Sequence, residues 1–537
     1  MYRVIQEYET RIFGKTNAFT IDTPYSKRDP DTIAPQEIIQ DRMATNTRTL
    51  TIKGALELAA RSRRYQAQKE QLYLTALSLT GARYAFSPQF FAGTTGRFDR
   101  ESDGDKKGSL SSAAGLNQAL KTGGKIGVNL ANDLLRYYTG DPRRSILSVI
   151  SLNLVQPLLR GGGRYSQQVE NLTQAERNVV YAIRTYYHFQ NQFAAEIVTD
   201  YFNLLAQKAI VRNNYTNFLR RVETTKYLEA RSVDRVSKNA VDDARQAELS
   251  ARISYINSLA SYLNALDAFK LKLDIPLNEK IYLEDSSLRE LEQAGLIGAE
   301  MDRDTAFRLA VEHHAEILNA IDQFEDAKRK VKVAANQLKA ELNLVGDASL
   351  QSEPPTDYTD FDIDKVRYGV GLQLNLPLDR LQERNNYRAA LISFESKLRS
   401  LALTLDTYKD KIDRGLRTLE QRRLNFLDRQ TSLQVAQRRV EMNQILLEAG
   451  RVQIRDLREA QDALIAAQNN LTSTAVSYLE ARLQVLLDMG ILQTDVDKFW
   501  LKDPLKQYKF EKGLGIPPLR MPQDRVLPPD QFLEAKP

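Results

Sequence analysis

Between Gln382 and Ala449 apolar residues fall at Leu391, Phe394, Leu398, Leu401, Leu405, Tyr408 and Ile412, with gaps alternating between three and four. That is a heptad seam, and it predicts a helix wound left-handedly against its neighbours. No Pro interrupts the stretch, and its one Gly is Gly415. About 68 residues at 1.5 Å each make a rod of roughly 100 Å, wider than an ordinary globular core. Gly450-Arg451-Val452 then offers the left-handed turn that a Gly past a helix end favours. A second helix returns from Ile454 to Leu487, closing a helical hairpin with unequal legs over 382–488.

The pattern occurs earlier as well. Val179, Ile183, Tyr186, Phe193, Ile197 and Leu204 keep helical spacing in a rod from Arg164 to Ala230 of matching length. A turn at Arg231-Ser232-Val233 leads to a shorter helix ending near Leu273-Asp274, so this hairpin spans 164–274. Further helices are predicted from Leu50 to Leu79, with Ile52, Ala55, Leu56 and Ala59 on one face, and from Asp304 to Leu342. Period-two alternation marks strands at about 84–100, 145–156, 341–350 and 367–376. Residues 101–144, with Glu101-Ser-Asp-Gly-Asp-Lys-Lys-Gly108 and a Gly/Ser/Asn-rich run, read as a long loop with room for one short strand at Lys125 to Leu130. Gly161-Gly-Gly163 reads as slack between a strand and the next helix.

The order repeats. Leu152-Asn-Leu-Val-Gln-Pro-Leu158 returns as Leu372-Gln-Leu-Asn-Leu-Pro-Leu378, Glu229-Ala230 as Glu448-Ala449, and Ser261-Tyr-Leu-Asn-Ala265 as Ser477-Tyr-Leu-Glu-Ala481. Such self-similarity predicts tandem structural units: an extended arm over 1–49, a first repeat over 50–274, a linker over 275–303, a second repeat over 304–490 and a Pro-rich tail over 491–537. Each repeat reads helix, strand, strand, long helix, short helix.

The strand over 367–376 decides what the sheet is for. Tyr368, Val370, Leu372, Leu374 and Leu376 alternate with Arg367, Gly369, Gly371, Gln373 and Asn375. In a soluble protein this is a half-buried sheet; in a membrane barrel it is lipid on one side and water on the other, and about ten tilted residues suffice to cross. Two strands per repeat make about four per chain, too few to close a barrel, and an open sheet in lipid leaves edge hydrogen bonds unpaired. Several copies must then share one barrel, and three would supply twelve strands in a closed ring.

Composition narrows the alternatives. Net charge is +6 against 75 basic and 69 acidic side chains, interspersed along the helices, so no nucleic-acid partner is indicated. Mean hydropathy is −0.45, and no run approaches the 18 or more apolar residues of a spanning helix. There is no Cys, hence no disulfide framework or thiolate metal site. His313 and His314 are adjacent and leave a helix in different directions, and the only other His is His188, so neither a metal nor any other cofactor is expected. Gly161-Gly-Gly-Arg164 lacks the Lys-Ser/Thr of a phosphate loop. Asn171-Leu-Thr and Asn470-Leu-Thr match a glycosylation pattern on helices, and Tyr181, Tyr186, Tyr187 and Phe189 read as helix packing. Met1-Tyr-Arg-Val-Ile-Gln-Glu-Tyr8 lacks the apolar core of an export signal, which by itself favours a soluble coiled-coil scaffold or adaptor. Such a scaffold has no need for two Gly-rich strand pairs at matching places. An enzyme is the most distant reading.

Over most of 50–490 the sequence resembles the TolC-like outer-membrane efflux proteins. The pieces that carry the resemblance are Leu154-Val-Gln-Pro-Leu-Leu-Arg-Gly161 at the strand-to-helix junction and Glu448-Ala-Gly-Arg-Val-Gln-Ile-Arg-Asp-Leu-Arg-Glu-Ala-Gln461 at the hairpin tip. The resemblance implies an α+β membrane channel: a homotrimer with a 12-stranded β-barrel in the outer membrane, continued by a 12-rod α-helical barrel through the periplasm. It implies a periplasmic adaptor (membrane fusion) protein and an inner-membrane transporter as partners, in tripartite efflux or type I secretion. The adaptor-docking tip maps onto Gly450, Arg451, Val452 and Asp456. The first tip, Arg231, Ser232 and Val233, lacks the Gly. Pore-facing strand positions are Ser151, Asn153, Gln373 and Asn375. Charges near the tips that could hold a gate are Asp234, Arg235, Asp242, Asp243, Arg455 and Asp456, each also readable as solvated charge on an exposed helix.

Overall fold

The computed structural model describes residues 21–100, 106–137, 144–231, 238–296, 301–352, 360–376, 378–449 and 451–507. In chain order these form α1 (Pro35–Met43), β1 (Thr47–Leu50), α2 (Ile52–Ala59), α3 (Arg63–Tyr84), β2 (Gln89–Arg100), β3 (Lys106–Ala119), β4 (Lys125–Tyr137), β5 (Arg144–Pro157), α4 (Gln167–Arg231), α5 (Lys238–Lys272), β6 (Lys280–Leu283), α6 (Ser286–Ala294), α7 (Arg303–His313), α8 (Ala315–Gln337), β7 (Glu341–Gln351), β8 (Arg367–Asn375), α9 (Leu381–Glu448) and α10 (Ile454–Asp488).

The chain divides into two compact units. The sheet unit takes Gln71–Arg184 and Asn319–Thr404. Its centre is one antiparallel ladder of six strands in the order β2-β3-β4-β5-β7-β8. Six replaces the four read from the sequence, because the supposed loop over 101–144 holds the whole hairpin β3–β4. The short strand expected at Lys125 to Leu130 is the first half of β4, and the first strand starts at Gln89 rather than about 84 because α3 continues to Tyr84.

The lower end of the hairpin is tied down. The turn closes with Leu120 N donating to Gly124 O at 2.8 Å, and Gly163 N donates to Thr122 O at 2.8 Å. Gly123 has φ +88, and a Cβ there would lie 2.3 Å from Gly161 O. The Gly161–Gly163 stretch, expected to be slack, is equally fixed: Gly161 N donates to Asn336 Oδ1 at 2.8 Å, and a Cβ on Gly162 would lie 2.6 Å from Pro157 O.

Below the sheet, α4 and α8 are joined by charge rather than by apolar packing alone. Arg329 grips the Glu170 carboxylate with Nε at 2.6 Å and Nη2 at 3.0 Å, and reaches Asp326 at 2.9 Å. Arg177 pairs with Asp326 and Asp322, and Arg184 meets Asp322 at 2.5 Å. Tyr181 Oη donates to Asp326 at 2.6 Å; burial, then that hydrogen bond, pushes its pKa to about 12. Glu170 and Asp326 are buried, so each carboxylate depends on these partners.

The helical unit takes Met1–Glu70, Thr185–Leu318 and Leu405–Pro537. Its core gathers Tyr65, Phe193, Tyr201, Phe202 and, from the tail, Phe499 and Trp500. The stretch read as a linker contributes β6, which pairs in parallel with β1 from the arm. Tyr201 Oη seals that pairing by donating to Leu50 O at 2.8 Å.

Candidate functional site

Strand pairing fixes which side chains share a face of the six-stranded sheet, because a ladder with no slip keeps side-chain parity. One row runs Phe90, Leu116, Val128, Leu152, Ala348 and Tyr368 from β2 to β8. The next runs Ala92, Ala114, Leu130, Ile150 and Leu350. These rows are apolar across the sheet and open to the surroundings: Phe90 is 78% exposed, Tyr368 83% and Leu152 44%. A polar row of Thr94, Ser112, Asn132 and Ser148 interrupts this face toward the upper end.

The opposite face is richer in small and polar residues, with Val149, Val155 and Val345 among them. Ser151 stands opposite Ser349 and Asn153 opposite Asp347. Gln373 stands opposite Asn343 and Asn375 opposite Glu341. All four residues expected to line a pore therefore share one face. Ser111, Ala113, Gly115 and Asn117 of β3 join them, with Gly127, Asn129 and Ala131 of β4. Phe91 of β2 is also on this face. It lies against Gly115, where a Cβ would come within 2.9 Å of the Phe91 ring and 2.3 Å of Val128 O. Only a glycine fits there. The ladder ends at β2 and β8, and the outer edge of each carries no described strand.

The second part of the site is the tip between α9 and α10. Gly450 lies outside the described residues, as do Ser232, Val233, Asp234 and Arg235 of the first tip and the side chain of Arg231. After Gly450, Arg451 N donates to Leu446 O at 2.9 Å and closes the end of α9. Asp456 accepts from Gln453 N at 3.0 Å; a carboxylate in the first turn of α10 satisfies an orphan N–H and suits the helix dipole. Arg451, Arg455, Asp242 and Asp243 are exposed, and Val452 is half-buried.

Sequence reasoning missed the tie near this tip. Arg221 of α4, with a buried side chain, donates to Asp462 Oδ1 at 2.5 Å and to Arg458 O at 3.2 Å on α10. Arg458 in turn donates to Asp243 O on α5 at 3.3 Å. The two hairpins are thus cross-linked by residues more than 200 positions apart, a pairing with no local signal.

The remaining titratable cluster is His188, His314, Glu316 and Tyr408 in the helical unit. The imidazoles of His188 and His314 lie 4.8 Å apart. His314 Nδ1 accepts from Glu316 N at 3.2 Å, so Nε2 carries its proton. Burial, with His188 nearby, lowers the pKa of His314 to about 4. Tyr408 donates to the Glu316 carboxylate. Among the described residues no group of three or more His, Cys, Asp or Glu is placed to hold a metal.

No protein-family model and no curated protein matches the chain in sequence. Solved structures do match in fold. The CmeC outer membrane channel of Campylobacter jejuni aligns with TM-score 0.60 at 15% identity, over 82% of this chain and 85% of that one. VceC, an outer membrane protein of Vibrio cholerae, aligns at 0.59 and 13%, over 82% and 96%. CusC, described in terms of transmembrane channel formation, aligns at 0.59 and 12%, over 82% and 92%. The chain has the TolC-like channel fold.

Proposed function

We propose that this TolC-like chain is one protomer of a homotrimeric outer-membrane duct, extending into the periplasm and passing substrates delivered by an inner-membrane transporter. The observation that carries the reading is the sheet: apolar and uncovered on one face, richer in small and polar residues on the other, with no described strand beyond β2 or β8. A soluble monomer rarely leaves so large an apolar surface open, and free strand edges in lipid demand partners. β8 of one copy beside β2 of the next satisfies both demands. With six strands per chain, three copies supply eighteen, in place of the twelve that four strands would give; the size lies within the range of known membrane barrels.

Ser151, Asn153, Gln373 and Asn375 then face the water-filled lumen. The helical unit supplies the periplasmic part, and the tip at Gly450, Arg451, Val452 and Asp456 docks a periplasmic adaptor, with Arg231, Ser232 and Val233 at the companion tip. Charges at Asp234, Asp242, Asp243, Arg455 and Asp456 hold the mouth shut until docking. Opening is a shear of packed helices that must release the Arg221–Asp462 tie. Transport of this kind makes and breaks no covalent bond, so the reading is of a non-enzyme. The rival, a soluble scaffold, has no use for an uncovered apolar sheet face.

Expression of the full chain followed by fractionation and bilayer recording tests the reading. The expected result is a detergent-extracted trimer from the outer membrane that conducts ions. A monomer recovered in aqueous buffer would overturn it.

A further inference from the structure

The two repeats carry different numbers of strands. The repeated motif aligns β5 with β8, and β2 and β7 each follow a helix that is broken at the same distance before its strand. The β3–β4 hairpin has no counterpart in the second repeat. It is also removable in principle without disturbing the pattern. β2, β3, β4 and β5 alternate in direction, so β2 and β5 are antiparallel to each other. Ala92 and Ile150 lie in one row through Ala114 and Leu130, so a direct β2–β5 pairing keeps the apolar face on one side.

The helices do not follow the widening. Arg83 of α3 reaches Glu176 of α4 at 3.3 Å, although two strands separate β2 from β5 above them. Phe324 of α8 stacks on Phe394 of α9 at 5.4 Å, so α3, α4, α8 and α9 stand side by side. Four helices at 8–10 Å spacing occupy an arc of about 32–40 Å. Six strands about 4.8 Å apart and tilted by about 40° occupy about 38 Å, whereas four would occupy about 25 Å. The hairpin therefore matches the sheet to the helices below it.

We propose that the β3–β4 hairpin is a pore-widening insert, and that the duct passes solutes of macromolecular bulk, such as an extended or compact polypeptide. The inference rests on the trimeric reading above. A ring of eighteen such strands has a backbone diameter of about 36 Å against about 24 Å for twelve; side chains about 5 Å deep leave lumens of about 26 Å and 14 Å. Through its middle the hairpin presents Ser111, Ala113, Gly115, Gly127, Asn129 and Ala131 on the lumen face, small residues that add wall without filling the bore, with Asp133 beyond them. Because its turn is fastened to the strand–helix junction at Thr122 and Gly163, the insert is a fixed part of the wall rather than a flap.

The chain has no Cys, so a single S151C on β5 reports the lumen without background and independently of the tip. The substituted full chain is assembled in outer membrane and treated from outside with thiol reagents on neutral polymers of graded size. The same substitution is made in a chain lacking residues 106–137. The full chain is expected to react with polymers about 20 Å across, and the shortened chain only with those below about 14 Å. Exclusion of the 20 Å polymer by a full chain that still reacts with a small maleimide overturns the inference, as does an equal cut-off in both chains. If the shortened chain does not assemble, the full-chain cut-off alone decides. A companion L152C on the lipid-facing row separates the two ideas. Equal aqueous reactivity at positions 151 and 152 in the full chain contradicts the trimeric duct itself rather than its width.

Discussion

The two repeats fold to the same plan and differ where the chain meets its surroundings. Both break a helix just before the run that leads to a strand, one at Ser62 and the other at His314. At the first break the Ser62 hydroxyl donates to Ala59 O at 2.7 Å; at the second His314 Nδ1 accepts from Glu316 N. Two chemistries thus cap one geometry. Inside the fold the repeats are interchangeable in role, and Arg329 of the second clasps Glu170 of the first. In the sheet they are not: the first repeat supplies four strands and the second two. The repeats therefore share a frame and differ in the number of strands they give the sheet.

The largest effect is expected where the repeats hold each other. Arg329→Met strands Glu170, whose side chain is only 5% exposed, and leaves Asp326 to Arg177 and Tyr181; it should cost about 3–5 kcal/mol, read by thermal or denaturant unfolding. A cost near zero would mean that the repeats do not depend on this clasp. Next comes the contrast between the two faces of β8. Leu372→Arg is expected to cost about 2–4 kcal/mol and to lower the yield of membrane-assembled trimer, while Gln373→Arg leaves assembly intact. Equal yields for both substitutions would remove the distinction between the faces.

The third contrast concerns pH. A His that is held neutral by burial contributes stability that is complete above its ordinary pKa near 6.5 and is lost as pH falls toward its folded value, about 4 for His314. The groups facing it include His188, Glu316, Tyr408 and Lys411. The melting temperature should fall between pH 6.5 and 4, and His314→Phe should flatten part of that fall; an unchanged slope would place the acid sensitivity elsewhere. The smallest effect belongs to the tip. Removing Asp456 loses one helix-capping interaction, worth about 1 kcal/mol, whereas Arg455→Ala together with Asp456→Ala is expected to raise single-channel conductance. Unaltered conductance would leave Asp456 as a cap alone.

Much of this architecture is legible in the sequence where one side of an element meets a uniform environment. The heptad seam from Leu391 to Ile412 lies in α9, and the alternation from Tyr368 to Leu374 falls on β8, where apolar residues face one way and Gly, Gln and Asn the other. β3 escapes the same test, whereas the first half of β4, with Ile126, Val128 and Leu130 alternating with Gly127 and Asn129, passes it. On β3, Ser111, Ala113 and Gly115 of one face differ little in hydropathy from Ser112 and Ala114 of the other, so the period-two signal fades. The Gly and Ser content that reads as a loop is what a close-packed hairpin wall requires, as Gly115 beneath Phe91 illustrates. The break between α9 and α10 was legible in the interruption of the helical pattern after Glu448. The Arg221–Asp462–Arg458–Asp243 cross-link was not, because it depends on which helices pack together, which no local pattern encodes.

Electron cryo-microscopy of the full-length complex in a lipid nanodisc addresses the sheet most directly. The account predicts three copies around one ring of eighteen strands, with β8 of each beside β2 of the next and the row from Phe90 to Tyr368 against lipid. A single copy whose apolar sheet face is covered by its own helices, or a twelve-strand ring with β3–β4 outside the wall, would contradict it.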